Sequence, residues 1–301
     1  MLKGGGEVAP RHKKYSGIIN FEPIPTGRPT HNFIECSRER ASEIVKSIDG
    51  EILVSFSGGA DCTLAAISVI EAGAAERLTI GMSRTAIEHT HNSVIDHFVE
   101  SGCRLVKING STLKERVESG VRVLTGCQGD TILCSDYVHR AKMLDGLHDL
   151  GVEEAFAQLS GRPDAAKLLE MCSWFFDEMP GHIERTAANM IWWLEFCGDW
   201  HLNNFNVTSH VNIGQPGVTH HHFFDSTPFQ RWSVQDSRQK VGNTAATHKE
   251  QIYRACEEMS GKKLTIPVKT EGWGDLFFDN ENPNYRNSIV AIHDDWRIVT
   301  K

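Results

Sequence analysis

The sequence predicts an α/β protein with a doubly wound parallel sheet and a mostly helical C-terminal part. Three observations predict this fold. Short apolar runs alternate with helical segments through residues 38–159, glycines end several of these segments, and the stretch beyond Arg162 is helical in pattern and rich in Trp and Phe. The length of 301 residues allows one large domain or two, and 40% hydrophobic with 23% charged residues excludes a disordered, collagen-like or coiled-coil chain.

The predicted elements follow one another in a regular order. Each strand is a short apolar run, and the helices carry Ala, Leu, Ile or Val and mostly end at a glycine. The predicted strands are Glu51–Phe56, Arg77–Met82, Cys103–Ile108 and Val152–Leu159, and the predicted helices are Arg38–Ile48, Asp61–Ala72, Ile87–Ser101 and Ser135–Leu150. Because open parallel sheets bind ligands at the carboxyl ends of their strands, we expect the chemistry in the loop that begins at Ser57.

The two ends of the chain differ from this α/β part. Residues 1–36 contain three consecutive glycines, the basic run Arg11–Lys14 and the spaced prolines Pro23, Pro25 and Pro29, which break any regular period. We therefore divide the chain into an N-terminal arm (1–40), an α/β domain (41–165) and a helical region on the substrate side (166–301). The arm is interpreted as a tail packed along the body, and binding of a polyanionic partner is the alternative.

Charge and cysteine content restrict the class of protein. The net charge of −8 disfavours a general nucleic-acid binder, although a local basic patch remains possible. No stretch reaches the roughly 18 apolar residues of a membrane span, and the first residues lack the apolar core of a signal peptide. The eight cysteines include no C-x-x-C pair, so we expect reduced, mostly buried thiols rather than a zinc or dithiol site. These features predict a cytoplasmic protein without membrane contact.

The strongest motif is Ser57-Gly58-Gly59-Ala60-Asp61-Cys62-Thr63, between a predicted strand and a predicted helix. Two glycines let the backbone approach a bulky anion, and the helix N-terminus presents free amides to it. Ser57 adds a hydroxyl, and Asp61 can cap the helix or hold Mg²⁺ against phosphate oxygens. The alternative is an ordinary strand-to-helix turn in which Asp61 is only a cap. Neither the Walker pattern nor the dinucleotide pattern G-x-G-x-x-G occurs.

This motif resembles the S-G-G-x-D-[ST] pyrophosphate loop of the N-type ATP pyrophosphatases, the PP-loop family. The resemblance implies a fold of the HUP type (adenine nucleotide α hydrolase-like), binding of ATP with Mg²⁺, and cleavage between the α and β phosphates. It assigns nucleotide contacts to the loop, and Asp61 to the metal. Cys62 stands where the family has Ser or Thr, and Thr63 follows it. The implied nucleotide contacts within the loop are Ser57, Gly58, Gly59, Asp61, Cys62 and Thr63.

Further segments narrow the resemblance to the synthetase domain of asparagine synthetase and β-lactam synthetase. Leu78–Met82 looks like the family's second strand, which implies that Met82 lies at the adenine. Leu159–Asp164 looks like a shortened L-S-G-E-G-A-D-E, which implies nucleotide contacts at Ser160 and Gly161 and places Asp164 beside Asp61 on Mg²⁺. Arg162 and Ala165 replace the two glutamates of that motif.

The C-terminal third continues the resemblance. Phe223-Phe224-Asp225 is similar to the family's P-F-L-D, and His248–Arg254 is similar to its K-x-x-L-R helix. Ile266–Trp273 is similar to the P-x-x-x-x-x-K-x-x-[FY] loop, whose lysine reaches the phosphates. The resemblance therefore implies Lys269 and Lys249 as catalytic candidates. His220–His222 is a separate feature, interpreted as a polar wall of the cleft or plain surface, with a metal site as the alternative.

The expected activity follows from this resemblance. It is a ligase that adenylates a small carboxylate substrate, releases pyrophosphate and passes the acyl group to ammonia or another amine. Position 2 is Leu rather than the cysteine of a glutaminase domain, so the amine would come from solution or from a glutaminase or other partner subunit. The alternatives are a PP-loop enzyme that modifies a nucleobase or RNA, and a degenerate nucleotide-binding interaction module.

Overall fold

A five-stranded sheet, in which every pairing is parallel, forms the centre of the computed structural model. The structure describes residues 29–133, 147–160, 166, 169–170, 173–177, 179–193, 196–197, 220–235 and 249–267. Its strands are β1 (Ile52–Phe56), β2 (Leu78–Met82), β3 (Arg104–Lys107), β4 (Arg122–Thr125) and β5 (His220–His222). They lie in the order β3-β2-β1-β4-β5. The chain therefore builds outward from β1 through β2 to β3 and then returns to add β4 on the other side of β1.

Helices cover both faces of this sheet. The described helices are α1 (Phe33–Ser47), α2 (Ala60–Glu71), α3 (Arg84–His89), α4 (Asn92–Glu100), α5 (Gly110–Glu118), α6 (Gly129–Leu133), α7 (Val152–Ser160), α8 (Ser173–Asp177), α9 (Thr227–Ser233) and α10 (Glu250–Ser260), and residues 187–193 are also helical. Phe98 of α4 packs edge-on against Phe56, at 5.4 Å between ring centres. On α5, Leu113 and Val117 pack with Leu53 on the opposite face, because residues an odd number apart on a strand point to opposite sides. The prediction of an α/β fold with a parallel sheet and flanking helices is confirmed.

Burial in the core accounts for the positions of the first strand and the first helix. The apolar residues of β1 are at most 3% exposed, as expected for a strand covered on both faces. α1 begins at Phe33, because Asn32 and Glu35 form a reciprocal capping box at its start. This start lies within the segment predicted as an arm, and Phe33 is buried against Trp232 at 4.7 Å between ring centres.

Several predicted elements agree with the structure and others do not. β1, β2, β3 and α2 lie where the sequence predicts them, within a residue or two. The predicted helix Ile87–Ser101 is instead two helices, because Ser83 caps α3 and His91 caps α4. Most of the predicted helix Ser135–Leu150 lies outside the described residues; residues Leu147–Asp149 form a short 3-10 turn.

The predicted fourth strand, Val152–Leu159, is wrong. These residues form helix α7, whose first turn carries Glu153 and Glu154 and whose Ala155 and Phe156 are buried. Acidic residues at the N-terminal end and the helix formers Ala and Gln favour this state over a strand. The fourth strand is the shorter run Arg122–Thr125. Among the described residues, no helix has the length and apolar character needed to cross a membrane.

Candidate functional site

The loop after β1 joins the carboxyl end of the central strand to the start of α2. Gly58 has a φ of +80°, and a Cβ on it would lie 3.0 Å from the Thr90 hydroxyl oxygen. Gly59 is the N-cap of α2 and makes no side-chain cap hydrogen bond. The first intrahelical bond runs from the Thr63 amide to the Gly59 carbonyl, so the preceding amides of the first turn have no acceptor within the helix. This arrangement suits an anion of phosphate type.

A second glycine-containing loop follows β4 and packs directly against the first. A Cβ on Gly126 would lie 2.6 Å from the backbone nitrogen of Cys62. A Cβ on Gly129 would clash with Asp61, with the carboxylate carbon at 2.7 Å and an oxygen closer still. A side chain at either position would force its neighbours to move, because the loop lies against the first turn of α2. The two loops follow neighbouring strands, β1 and β4, at the point where the strand order reverses.

Three charged side chains meet between these loops. The Lys249 ammonium lies 2.5 Å from the Asp61 Oδ2 atom and 2.5 Å from the Asp130 Oδ1 atom. Their side chains are only 11%, 13% and 12% exposed, respectively. Burial disfavours the ammonium, but the carboxylates of Asp130 and Asp61 outweigh burial and hold the pKa of Lys249 above its ordinary value. The cluster therefore carries two negative charges and one positive charge in a nearly enclosed space.

Lys249 reaches the cluster from the start of α10. It is the N-cap of that helix, and the buried residues Ile252, Ala255 and Met259 hold α10 in the core. Met259 also accepts a hydrogen bond at 3.8 Å from the Ser68 hydroxyl of α2. The backbone of Lys249 is thus fixed against α2, while its long side chain spans the remaining distance to both carboxylates.

The loop after β4 is anchored by the histidine strand. The Thr125 hydroxyl lies 2.7 Å from Nδ1 of His222, and it accepts a hydrogen bond from the Cys127 amide at 3.3 Å. On the other side, Arg40 donates to the His222 carbonyl at 3.0 Å. His222 therefore holds the beginning of the second loop in place. Among the residues that the structure describes, no three His, Cys, Asp or Glu side chains are grouped as a metal site.

Within the first loop, the hydroxyl and thiol groups are engaged with their own backbone or each other. Cys62 is buried, and its thiol lies 3.5 Å from the Ser57 hydroxyl and 3.6 Å from the Ser55 carbonyl. The Thr63 hydroxyl donates to the Gly59 carbonyl at 2.9 Å and is fully buried. These contacts fix the conformation of the loop. Cys62 and Thr63 are buried, whereas Ser57 is partly exposed.

The remaining predicted residues fall into two groups. Met82 ends β2 and pairs in register with Phe56, so it lies beside the end of β1; its implied contact with adenine stays a prediction. Ser160 is the last residue of α7, whereas Gly161, Asp164 and Lys269 lie outside the described residues. The described chain up to Pro267 runs along α4: Lys262 pairs with Glu100, and the Thr265 amide donates to the Ser93 hydroxyl at 3.0 Å.

Sequence reasoning did not single out Asp130, which the structure brings to the same ammonium as Asp61. Asp164, which the resemblance implies as the second metal ligand, lies outside the described residues and stays a prediction. A usable signal was present: residues 124–131 read L-T-G-C-Q-G-D-T and align without a gap to L-S-G-E-G-A-D-E. The match keeps the leucine, a hydroxyl residue, the first glycine and the aspartate. The competing segment begins at Leu159 inside helix α7, not at the end of a strand.

The described cysteines are free thiols, in agreement with the expectation for this part of the chain. Burial raises the pKa of Cys127 to about 12, so the thiol next to the candidate site is protonated at neutral pH.

No protein-family model matches the chain, and a search of curated proteins returned no match.

Proposed function

We propose that the chain is an ATP-dependent ligase of the PP-loop type, which forms AMP and pyrophosphate while activating a carboxylate substrate for transfer to ammonia or another amine. The observation that carries this proposal is the pair of glycine-containing loops after β1 and β4, with Asp61 of one and Asp130 of the other meeting at Lys249. Phosphates need close backbone approach, the amides of a helix N-terminus and carboxylates that can hold a metal, and this pair of loops supplies these groups.

The strand order supports a doubly wound nucleotide-binding fold. In a doubly wound nucleotide fold, the ligand lies outside the carboxyl ends of the strands where the order reverses. Here β1 and β4 are the strands on either side of that reversal. This order is common to doubly wound nucleotide folds, and the loop motif leads us to propose the HUP type among them, with helices on both faces of the sheet.

Magnesium fits the donor set of this site. Mg²⁺ prefers hard oxygen ligands and is commonly held by one or two carboxylates plus phosphate oxygens. Asp61 and Asp130 would supply the two carboxylates, in place of the pair Asp61 and Asp164 expected from the sequence. When bound, the ion would neutralise charge on the phosphate oxygens.

The residues of the chain contribute by positioning and by charge. The amides of the first turn of α2 and the Ser57 hydroxyl hold the two terminal phosphates as a leaving group. A substrate carboxylate oxygen forms a bond to the α-phosphorus, and the bond from that phosphorus to the bridging oxygen breaks, which releases pyrophosphate. The amine nitrogen then attacks the acyl carbon, AMP leaves with the bonding electrons, and the proton lost from the nitrogen passes to solvent. Lys269 remains our predicted partner for the departing phosphates, and Lys249 is a second cation beside them.

The second candidate is an interaction module that does not turn over nucleotide. The ammonium between the two carboxylates favours it, because this cation stands where a metal would be expected. Under either candidate we expect a cytoplasmic protein, and under the first a glutaminase or other partner subunit is one source of the amine.

The test is carboxylate-dependent exchange of labelled pyrophosphate into ATP, followed by chromatography of the nucleotide products. A panel of small carboxylates with ammonia and Mg²⁺ should give AMP and pyrophosphate with at least one member. Asp130→Asn should lower that rate by about 10²-fold or more, since it removes a charged ligand at the site. Asp96→Asn, at an exposed position on α4, is the matched control and should behave as wild type. ADP as the main product would overturn the proposal, and absence of nucleotide binding would favour the interaction module.

A further inference from the structure

The position of the Lys249 ammonium is the starting observation. One carboxylate oxygen of Asp61 and one of Asp130 each lie 2.5 Å from the same nitrogen. One carboxylate comes from the loop region after β1 and the other from that after β4, so this single ammonium joins the two loops. Lys249 itself is 188 residues away from Asp61 in the chain. The ammonium therefore neutralises part of the charge that these two loops bring together.

A divalent ion and this ammonium cannot occupy the same place. Mg²⁺ lies about 2.0–2.1 Å from its oxygen ligands, so an ion bound to the same two oxygens would overlap the nitrogen. Two cations at such short range would also repel each other strongly in a poorly solvated space. Binding of a metal by these same two oxygens therefore requires the lysine side chain to leave them.

The way Lys249 is anchored makes this movement feasible. Its backbone is held at the start of α10 by the packed residues of that helix, whereas its ammonium is carried on a flexible four-carbon stem. The side chain can change rotamer without movement of α10. What it requires is another group of negative charge to receive the ammonium, because a buried ammonium without a partner is costly. The phosphate oxygens of a nucleotide would provide that group.

We propose that Lys249 is a resident counter-ion that blocks the two carboxylates against free divalent cations, and that it is transferred to a polyphosphate when nucleotide and metal bind together. The proposal rests on the proposed function for the identity of the polyphosphate. It also predicts the order of binding: the metal binds together with the nucleotide and not before it. Lys249 is then a positioning residue before binding and a phosphate ligand after it.

The proposal predicts a gain of metal affinity when the ammonium is removed. Apparent affinity is reduced by the fraction of molecules in which the site is open, and a salt-bridged lysine leaves that fraction small. Lys249→Met should therefore bind Mn²⁺, used as a probe for Mg²⁺, at least about tenfold more tightly than wild type without nucleotide. Lys46→Met, at an exposed position in the last turn of α1, is the matched control and should leave Mn²⁺ binding unchanged.

The experiment is a titration of the nucleotide-free protein with Mn²⁺, followed by the electron paramagnetic resonance signal of the free ion. Denaturation midpoints are measured with and without Mn²⁺, since Lys249→Met leaves two buried carboxylates without their cation. Mn²⁺ should restore much of the stability that this variant loses. Lys249→Gln, which keeps amide donors near the carboxylates, is the second variant and should show the same direction of change.

The proposal is overturned when neither variant binds Mn²⁺ more tightly than wild type, or when neither is stabilised by it. This outcome is distinguishable from failure of the proposed function. If the wild type binds ATP and forms AMP but the variants gain no Mn²⁺ affinity, only the counter-ion role is rejected. A clear gain of Mn²⁺ affinity in a protein that binds no ATP supports the counter-ion role and rejects the ligase.

Discussion

Replacing Gly129 by Ala tests whether the contact between the two loops controls the site. A Cβ at this position would lie 2.7 Å from the Asp61 carboxylate carbon and 2.9 Å from a ring carbon of Phe224. Ordinary contacts between non-bonded carbons are about 3.5–4.0 Å, so the neighbours must move by close to an ångström. Phe224 is fully buried among other aromatic rings, which leaves the Asp61 carboxylate or the loop itself to move. Either movement separates Asp61 from Lys249.

Two effects of Gly129→Ala contribute to the expected change in the free energy of unfolding. Insertion of a methyl group into a packed site typically costs about 1–3 kcal/mol. The gain in helix propensity from Gly to Ala offsets part of this, at most about 1 kcal/mol, because Gly129 is the first residue of α6. We therefore expect a net loss of roughly 1–2 kcal/mol in the free energy of unfolding. Affinity for Mg²⁺–ATP should fall by about tenfold or more, since the displaced carboxylate is a proposed metal ligand.

The assays are urea denaturation and calorimetric titration with Mg²⁺–ATP. Gly151→Ala is the matched control, because a Cβ there meets no atom within 4 Å and its φ is not in the left-handed region. A Gly129→Ala protein with the stability and ATP affinity of Gly151→Ala would refute the reasoning. It would mean that the second loop tolerates a side chain and is not held against Asp61.

Two further predictions concern other parts of the described chain. Gly58→Ala should weaken ATP binding in a calorimetric titration, because a φ of +80° disfavours Ala and its Cβ would crowd Thr90; unchanged affinity would argue against a phosphate role for this loop. Burial, together with nearby Lys262, lowers the pKa of His97 despite the opposing charge of Glu100. The unfolded chain therefore binds the proton more readily, so stability should fall as the pH drops below about 6.5, and His97→Gln should flatten this slope in urea denaturation; an identical slope would contradict the assignment.

The first half of the fold was predictable because local and tertiary preferences agree there. β1 and β2 are apolar runs of five residues that are buried throughout or nearly so, and α2 begins directly after a glycine pair. β4 was missed because it is four residues long and begins with Arg122. β5 consists of three histidines, and no pattern of apolar residues indicates such a strand. It exists because β4 offers a parallel edge for it, which is a tertiary cause.

Only part of the candidate site was predictable from the sequence. The loop Ser57–Asp61 is visible because its residues are adjacent in sequence and lie at a strand-to-helix junction. Asp130 was overlooked because the strand before it was overlooked, so the motif in residues 124–131 was not placed at the end of a strand. The contact between Lys249 and the two carboxylates depends on how α10 packs on α2, which no local rule determines.

The ion cluster is not needed to join the elements that surround it. α10 already packs on α2 through buried apolar residues, and the two loops are already in contact at Gly126 and Gly129. Buried ion pairs add little net stability, because desolvation of each charge offsets most of the attraction, and apolar groups of similar size often do as well. Glycines in fixed conformations add a further entropic cost. Packing alone therefore does not account for two buried carboxylates, one ammonium and two crowded glycines at the carboxyl end of the central strands, whereas the proposed binding of a metal–polyphosphate would account for each of them.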